Sequence, residues 1–346
     1  MKVIKRIAIA LLTVLIMSCA VSKSNDIRLV NTQTNEEKPM NKIKTSVNRE
    51  TNFIYHMVSV AKVGYDNDYG NRYAHLHSPE DLAILKRNEL LLTVKGGEHM
   101  GELYGMFIGW PAYLDIEAKR YYESMYVLFK YGIDAHFSKF SDLWGGDNEQ
   151  IREAISQFYN SHAHLTSNII EICRVMIDNY DIFITIVWEE SLKELLPFAE
   201  MVQNYFDTSD FTHRIETLMN LSLDTNFIAS FTNSMAGGAE AIDIRNHNIS
   251  GIKYRSGELK NIRDISGWLK HEYVIYLLRD VIPIKMEYWN YFESLAEFYL
   301  RKIEDAGMST EYWETIVDFY NVQYLKDPSL TPLELFNLAL KEFVYK

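Results

Sequence analysis

Residues 268 to 278 read WLKHEYVIYLL, with His271 and Glu272 side by side in an apolar run. A histidine followed by a glutamate on a helix is half of a zinc-hydrolase motif. That chemistry needs two imidazoles one turn apart, because positions i and i+4 share a helix face and both nitrogens then reach one ion. The glutamate beside the first imidazole takes a proton from the metal-bound water. Here position i+4 is Ile275, which has no donor atom. Tyr276 stands about 100° further around the helix and is a poor substitute. Glu293 follows 18 residues after Ile275, a fitting gap for a donor on the next helix, and Glu297 is one turn beyond it. The nearest other imidazole is His247, in IRNHNIS. The isoleucine also supports a bland reading. The face is then packed core, His271 an ordinary hydrogen-bonded histidine and Glu272 a surface or ion-paired acid.

Other clusters carry less. His75 and His77 in AHLHSPED lack the acid and the histidine of a dinuclear site. His162 and His164 in SHAHL fall on nearly opposite sides of a helix. Residues 95 to 105, KGGEHMGELYG, are glycine-rich but lack the ending of a phosphate loop, and no G-x-S-x-G elbow is present. The acid pair Glu189-Glu190 could serve a glycosidase only if its spacing allowed. Cys173 lies in the apolar run IIEICRVMI and reads as a buried thiol.

The elements that must hold these residues are mostly helices. NFIYHMVSVAKVGY has helical apolar spacing and stops near Gly64. Ser78 and Pro79 open a helix as cap and first residue. DIEAKRYYESMYVLFKYG is amphipathic, residues 148 to 180 read as one helix or two, and EESLKELLPFAEMVQNYF is a helix with Pro197 inside it. The β-branched and aromatic DIFITIVW predicts a strand. Residues 222 to 256 hold three short β-like runs, joined through MAGGAE and RNHN in hairpin fashion. Helices return at about 262–282, 285–305, 309–326 and 331–345, the last opened by Thr331-Pro332. Helices, a small sheet, then helices make an α+β chain, predominantly helical.

The amino end reads MKVIKRIAIALLTVLIMSCAVSKSN. Lys2, Lys5 and Arg6 precede an apolar stretch, Ile7 to Met17, that is too short to span a bilayer, and Ser18-Cys19 closes it. This resembles a bacterial lipoprotein signal over residues 1–18, with Cys19 as the lipidated residue. Two or more acyl chains there would anchor the chain stably. Residues 19–50 are polar and aperiodic and read as a flexible tether. One remaining cysteine excludes an internal disulfide. Loss of the three basic residues takes the net charge from −12 to −15, which argues against nucleic acid as a partner.

NSMAGGAEAIDI, HEY and FESLAEFYLRKI together are similar to a family of bacterial lipoproteins of unassigned function with a zincin-like metallopeptidase core. Their zinc helix commonly reads HEFSH, after a glycine-rich strand segment and before a glutamate-bearing helix. The resemblance covers roughly residues 50 to 345. It implies a zincin-like lobe over 221–346 behind a mainly helical lobe over 51–220. It also implies His271 as first metal ligand, Glu272 as base and Glu293 as third ligand, with the motif degenerate at Ile275. The expected protein is a lipoprotein of the cell envelope, extracytoplasmic and anchored in the outer membrane. It has an inactive peptidase-like centre, no cofactor, and a peptide or protein held in the former substrate cleft. Two alternatives stay open: a zinc peptidase with an unusual ligand set and Glu272 as base, and a carbohydrate-binding lipoprotein using its tyrosines and tryptophans.

Overall fold

A computed structural model describes residues 41–344, apart from 65–66, 93, 96–98, 101, 110, 112–115, 237–238, 245–246, 255, 284 and 304–310. The expected signal segment, Cys19 and the tether to residue 40 lie outside the described residues.

The chain opens with strand β1 (Ile43–Ser46) and helix α1 (Arg49–Val60). The tether therefore does not reach residue 50. Short helix α2 (Asp68–Tyr73), then α3 (Pro79–Arg87), α4 (Ala118–Tyr131) and α5 (Ile133–Phe140) follow. Residues 149 to 180 form two helices, α6 (Glu149–Ser161) and α7 (Thr166–Ile182). The expected strand over DIFITIVW is instead helical: a π-turn, Phe183–Val187, joins α7 to α8 (Trp188–Thr208). Helix α9 (Phe211–Met219) leads to strands β2 (Phe227–Ala236), β3 (Ala239–Ile244) and β4 (His247–Lys253). Four helices close the chain: α10 (Ile262–Arg279), α11 (Trp289–Ile303), α12 (Glu311–Lys326) and α13 (Pro332–Phe343). The chain is α+β and mostly helical, as its pattern implies. No described helix is long and apolar enough to cross a membrane.

The sheet has the order β1-β2-β4-β3. Strands β1, β2 and β4 are parallel, with Ile43 opposite Phe227 and Ser230 opposite Ile249. Strand β3 runs antiparallel on β4 at the edge, so the segment between β2 and β3 does not close a hairpin. Residues of β2 alternate between faces. Phe227, Ala229 and Phe231 share a face and enter one core; Met235, beyond the register shift between Thr232 and Ala236, enters the other together with Ile249 of β4. The first core runs from Phe53 to Val187, and the second joins Ile43 and Val47 to side chains from Leu195 to Leu340. Trp188 packs against both.

Candidate functional site

Helix α10 starts at Asn261, whose side chain accepts from the Asp264 amide. It carries no apolar stripe. Every residue from Leu269 to Leu278 is buried, the pattern of a helix enclosed on all sides. His271 is 4% exposed and its Nε2 donates to Glu293 Oε2 at 2.7 Å. Glu293 belongs to α11, where Glu297, one turn on, is fully buried. Arg301 Nε reaches Glu297 at 2.8 Å and its two terminal nitrogens hold Glu314 at 2.9 and 2.8 Å. Burial pushes the His271 imidazolium toward neutrality. The hydrogen bond to Glu293 and the charges of Glu293, Glu272 and Glu297 outweigh it, and the net shift is upward.

The structure thus brings His271 and Glu293 together and buries Glu272 nearby. Ile275 is 1% exposed and lies in the second core. Tyr276 gives its hydroxyl to the His247 carbonyl, and that histidine begins strand β4. A catalytic zinc needs three protein donors and an open position. Here two donors meet, they bond each other, and the next place is hydrocarbon. No group of three or more His, Cys, Asp or Glu side chains among the described residues is placed to hold a metal. The residues present do not fit a catalytic zinc.

A polar cleft of about 490 Å³ opens elsewhere, at the carboxyl ends of β2 and β4. Parallel sheets commonly hold ligands at that end, and the volume is that of a small-molecule site. His271, Glu272 and Glu293 are not among its lining residues. Helix α2 forms one wall through Tyr69, Arg72 and Tyr73, and the start of α8 forms another through Glu190 and Glu194. The β2–β4 ladder shifts register between Thr232 and Ala236, and Asn233 and Ser234 reach the cleft from this irregularity. Arg72 pairs with Glu190 at 2.5 Å, and Tyr73 donates to the same carboxylate at 2.9 Å. Lys253 Nζ and Asn233 Nδ2 both donate to Glu194, at 2.6 and 3.0 Å.

Position 70 sets the α2 wall. The Asn67 side chain caps α2 by accepting from the Gly70 amide, and its Nδ2 ties the helix to the Ser234 carbonyl. A Cβ at Gly70 would lie 2.4 Å from the Ser59 carbonyl oxygen, a backbone atom that cannot turn away. Gly70→Ala is expected to lower stability by about 1–3 kcal/mol. Urea unfolding checks this, with the exposed Asn71→Ala as a control that changes little.

Behind α2 lies a buried chain of hydrogen bonds. His56, on α1, is 0% exposed; its Nδ1 meets Tyr69 Oη at 2.8 Å and its Nε2 meets His77 Nε2 at 2.8 Å. His77 Nδ1 meets Asn179 Oδ1 at 2.7 Å. Burial depresses the pKa of His56 well below the usual histidine value, with His77 adding to it, and burial depresses His77 too.

Neither a family model, a curated protein nor a solved structure matches this chain.

The other expectations resolve locally. His75 is exposed while His77 turns inward, so the two do not act together. His162 bonds the Phe158 carbonyl and His164 faces Glu102 at 3.2 Å. Of Glu189-Glu190, Glu190 lines the cleft. Cys173 is fully buried, and burial pushes its thiol well up. Sequence reasoning missed His56, Tyr69, Asn179 and Asn233. One signal was available for His56. A histidine among Phe53, Ile54, Met57 and Val58 must be buried, and a buried imidazole must find partners.

Proposed function

We propose that the protein is a lipid-anchored, extracytoplasmic binding protein on a zincin-like frame, with its ancestral metal centre replaced by a structural ion pair. One observation carries the reading. His271 bonds Glu293 at 2.7 Å while Ile275, at 1% exposure, fills the second ligand's place with core. In that arrangement Glu272 has no metal-bound water to deprotonate. The His271–Glu293 pair then acts by locking α10 to α11. Ligand binding falls to the polar cleft at the strand ends, with a peptide or a protein as the expected partner. The anchor is Cys19, and the acidic charge of the chain keeps nucleic acid away. The parallel sheet with an antiparallel edge, followed by a buried His-Glu helix and a glutamate-bearing helix, supports the zincin-like frame.

The test is a zinc titration. Purified protein dialysed against zinc is expected to retain far less than one equivalent, and His271→Ala to leave that amount unchanged. Stoichiometric zinc that disappears in His271→Ala would overturn the proposal and restore the peptidase reading.

A further inference from the structure

We infer that the cleft binds a short zwitterionic peptide, its free ammonium at Asp68 and its free carboxylate at Lys193 and Arg72. The inference rests on the binding role proposed above and names the ligand's chemistry.

The charges lining the cleft balance in number but not in pairing. The carboxylates of Asp68, Glu190 and Glu194 line it together with the cations of Arg72, Lys193 and Lys253. Both α8 carboxylates are fully engaged. Glu190 accepts from Arg72 Nη2 and Tyr73 Oη, one oxygen each. Glu194 accepts from Lys253 Nζ and Asn233 Nδ2, again one oxygen each. Asp68 and Lys193 are left over. Both are exposed, and neither makes a hydrogen bond or an ion pair among the described residues. They do not pair with each other either. One cleft thus holds an unmatched negative charge and an unmatched positive charge, standing apart.

Helical geometry says where each stands. Lys193 is three residues past Glu190 and is its neighbour on one face of α8. Glu190 holds Arg72, whose guanidinium also lies 5.0 Å from the centre of the Tyr73 ring. The other two nitrogens of Arg72 make no hydrogen bond among the described residues. Glu190, Arg72 and Lys193 therefore form a group with a net positive charge and donors to spare, which suits a carboxylate. Asp68 is four residues before Arg72, on the same face of α2 and about 6 Å along its axis. Its Oδ2 leans toward the turn after β4, where a Cβ at Gly257 would lie 3.5 Å from it. The place for an ammonium is one helical turn from the place for a carboxylate.

Charge selects the ligand. A lone anion at Lys193 would leave Asp68 unmatched, and a lone cation at Asp68 would leave Lys193 unmatched. Either would give up hydration to a cleft with no net charge to replace it. A molecule with an ammonium at one end and a carboxylate at the other answers both. Size then selects its length. A compact space of about 490 Å³ is roughly 8 Å across, which an extended chain covers in roughly two or three residues. A loop of a folded protein has no free termini to supply the two charges.

Isothermal titration of the purified full chain at low salt tests this with dialanine, trialanine and trileucine. At least one is expected to bind at or below millimolar concentration. Arg72 and Glu190 are 61% and 52% exposed at the side chain, so water screens these charges. N-acetylation and C-amidation of the bound peptide are each expected to weaken binding about fivefold. In Asp68→Asn the free and acetylated peptides are expected to bind alike, while amidation keeps its effect. In Lys193→Gln the effect of amidation is expected to shrink, while acetylation keeps its own. Each ratio compares two ligands on one protein, so a general loosening of the fold does not imitate it. Failure of all three peptides to bind would overturn the inference, as would capping effects that survive both substitutions. Doubly capped trialanine that binds as tightly as the free peptide would overturn the zwitterion and leave the binding role standing. Zinc-dependent cleavage of free trialanine would overturn the binding role itself.

Discussion

Replacing His271 with alanine is expected to destabilise the folded chain by about 3–5 kcal/mol. The cost arises less from the lost bond than from what stays behind. Glu293 would keep a carboxylate in a nearly closed site with its 2.7 Å partner gone. A buried charge without a partner is among the most damaging defects a core can hold. Replacing both residues with leucine removes the orphaned charge along with the bond. The double variant should therefore recover much of the loss, and a double-mutant cycle by urea unfolding measures the coupling. A double variant as unstable as His271→Ala would mean that the pair contributes shape and not charge.

The same pair sets a pH dependence whose sign can be worked out. His271 has a folded pKa above its ordinary 6.5. Its contribution is complete below 6.5 and is lost as pH rises through the folded value. His56, His77 and His136 are held below 6.5, chiefly by burial. Their contribution is present above 6.5 and is lost as pH falls toward their folded values. Stability should peak between these two windows. In His271→Ala the decline on the alkaline side should flatten while the acid side is unchanged. Melting temperatures measured across the range resolve both limbs.

Local chemistry was legible in the sequence, and distant pairing was not. Ser78 caps α3, and Thr331 with Glu334 forms a capping box at α13, because a cap needs only neighbours in sequence. DIFITIVW misled because β-branched composition was weighed above spacing. Phe183 and Val187 are fully buried one turn apart, while Thr185, which strand alternation would bury beside them, is exposed, a helical signature. Strand β1 was read as tether because IKTS has no pattern of its own. Its partner, Phe227–Ser230, is far along the chain. The gap between two helices suggested Glu293 as a metal ligand beside His271; the structure shows the two side chains bonded directly to each other. The His56–His77 contact was not, since the Asn179 that orients it comes from another helix. Asn233 reaches the cleft only through a break in ladder register, which no single-strand pattern encodes.

Ile275→His asks whether a metal centre can be built where the proposed zincin-like ancestry would put one. Positions 271 and 275 share a face of α10, and both are buried. A histidine there would give three donors, with His271 and Glu293, where two now meet. Without metal the substitution should be costly, about 2–5 kcal/mol, because a polar ring replaces an aliphatic side chain in the second core. Zinc should offset that loss by its binding energy, roughly 2.7 kcal/mol at a hundred times the dissociation constant. The expected result is a variant that melts early in chelator and later in zinc, beside an unaltered protein that ignores both. Glu293→Gln in the Ile275→His background should abolish the zinc response, since an amide is a weak metal donor. A variant that melts at the same temperature with and without zinc would show that the α10–α11 geometry never matched a metal, and the zincin-like ancestry would fall with it.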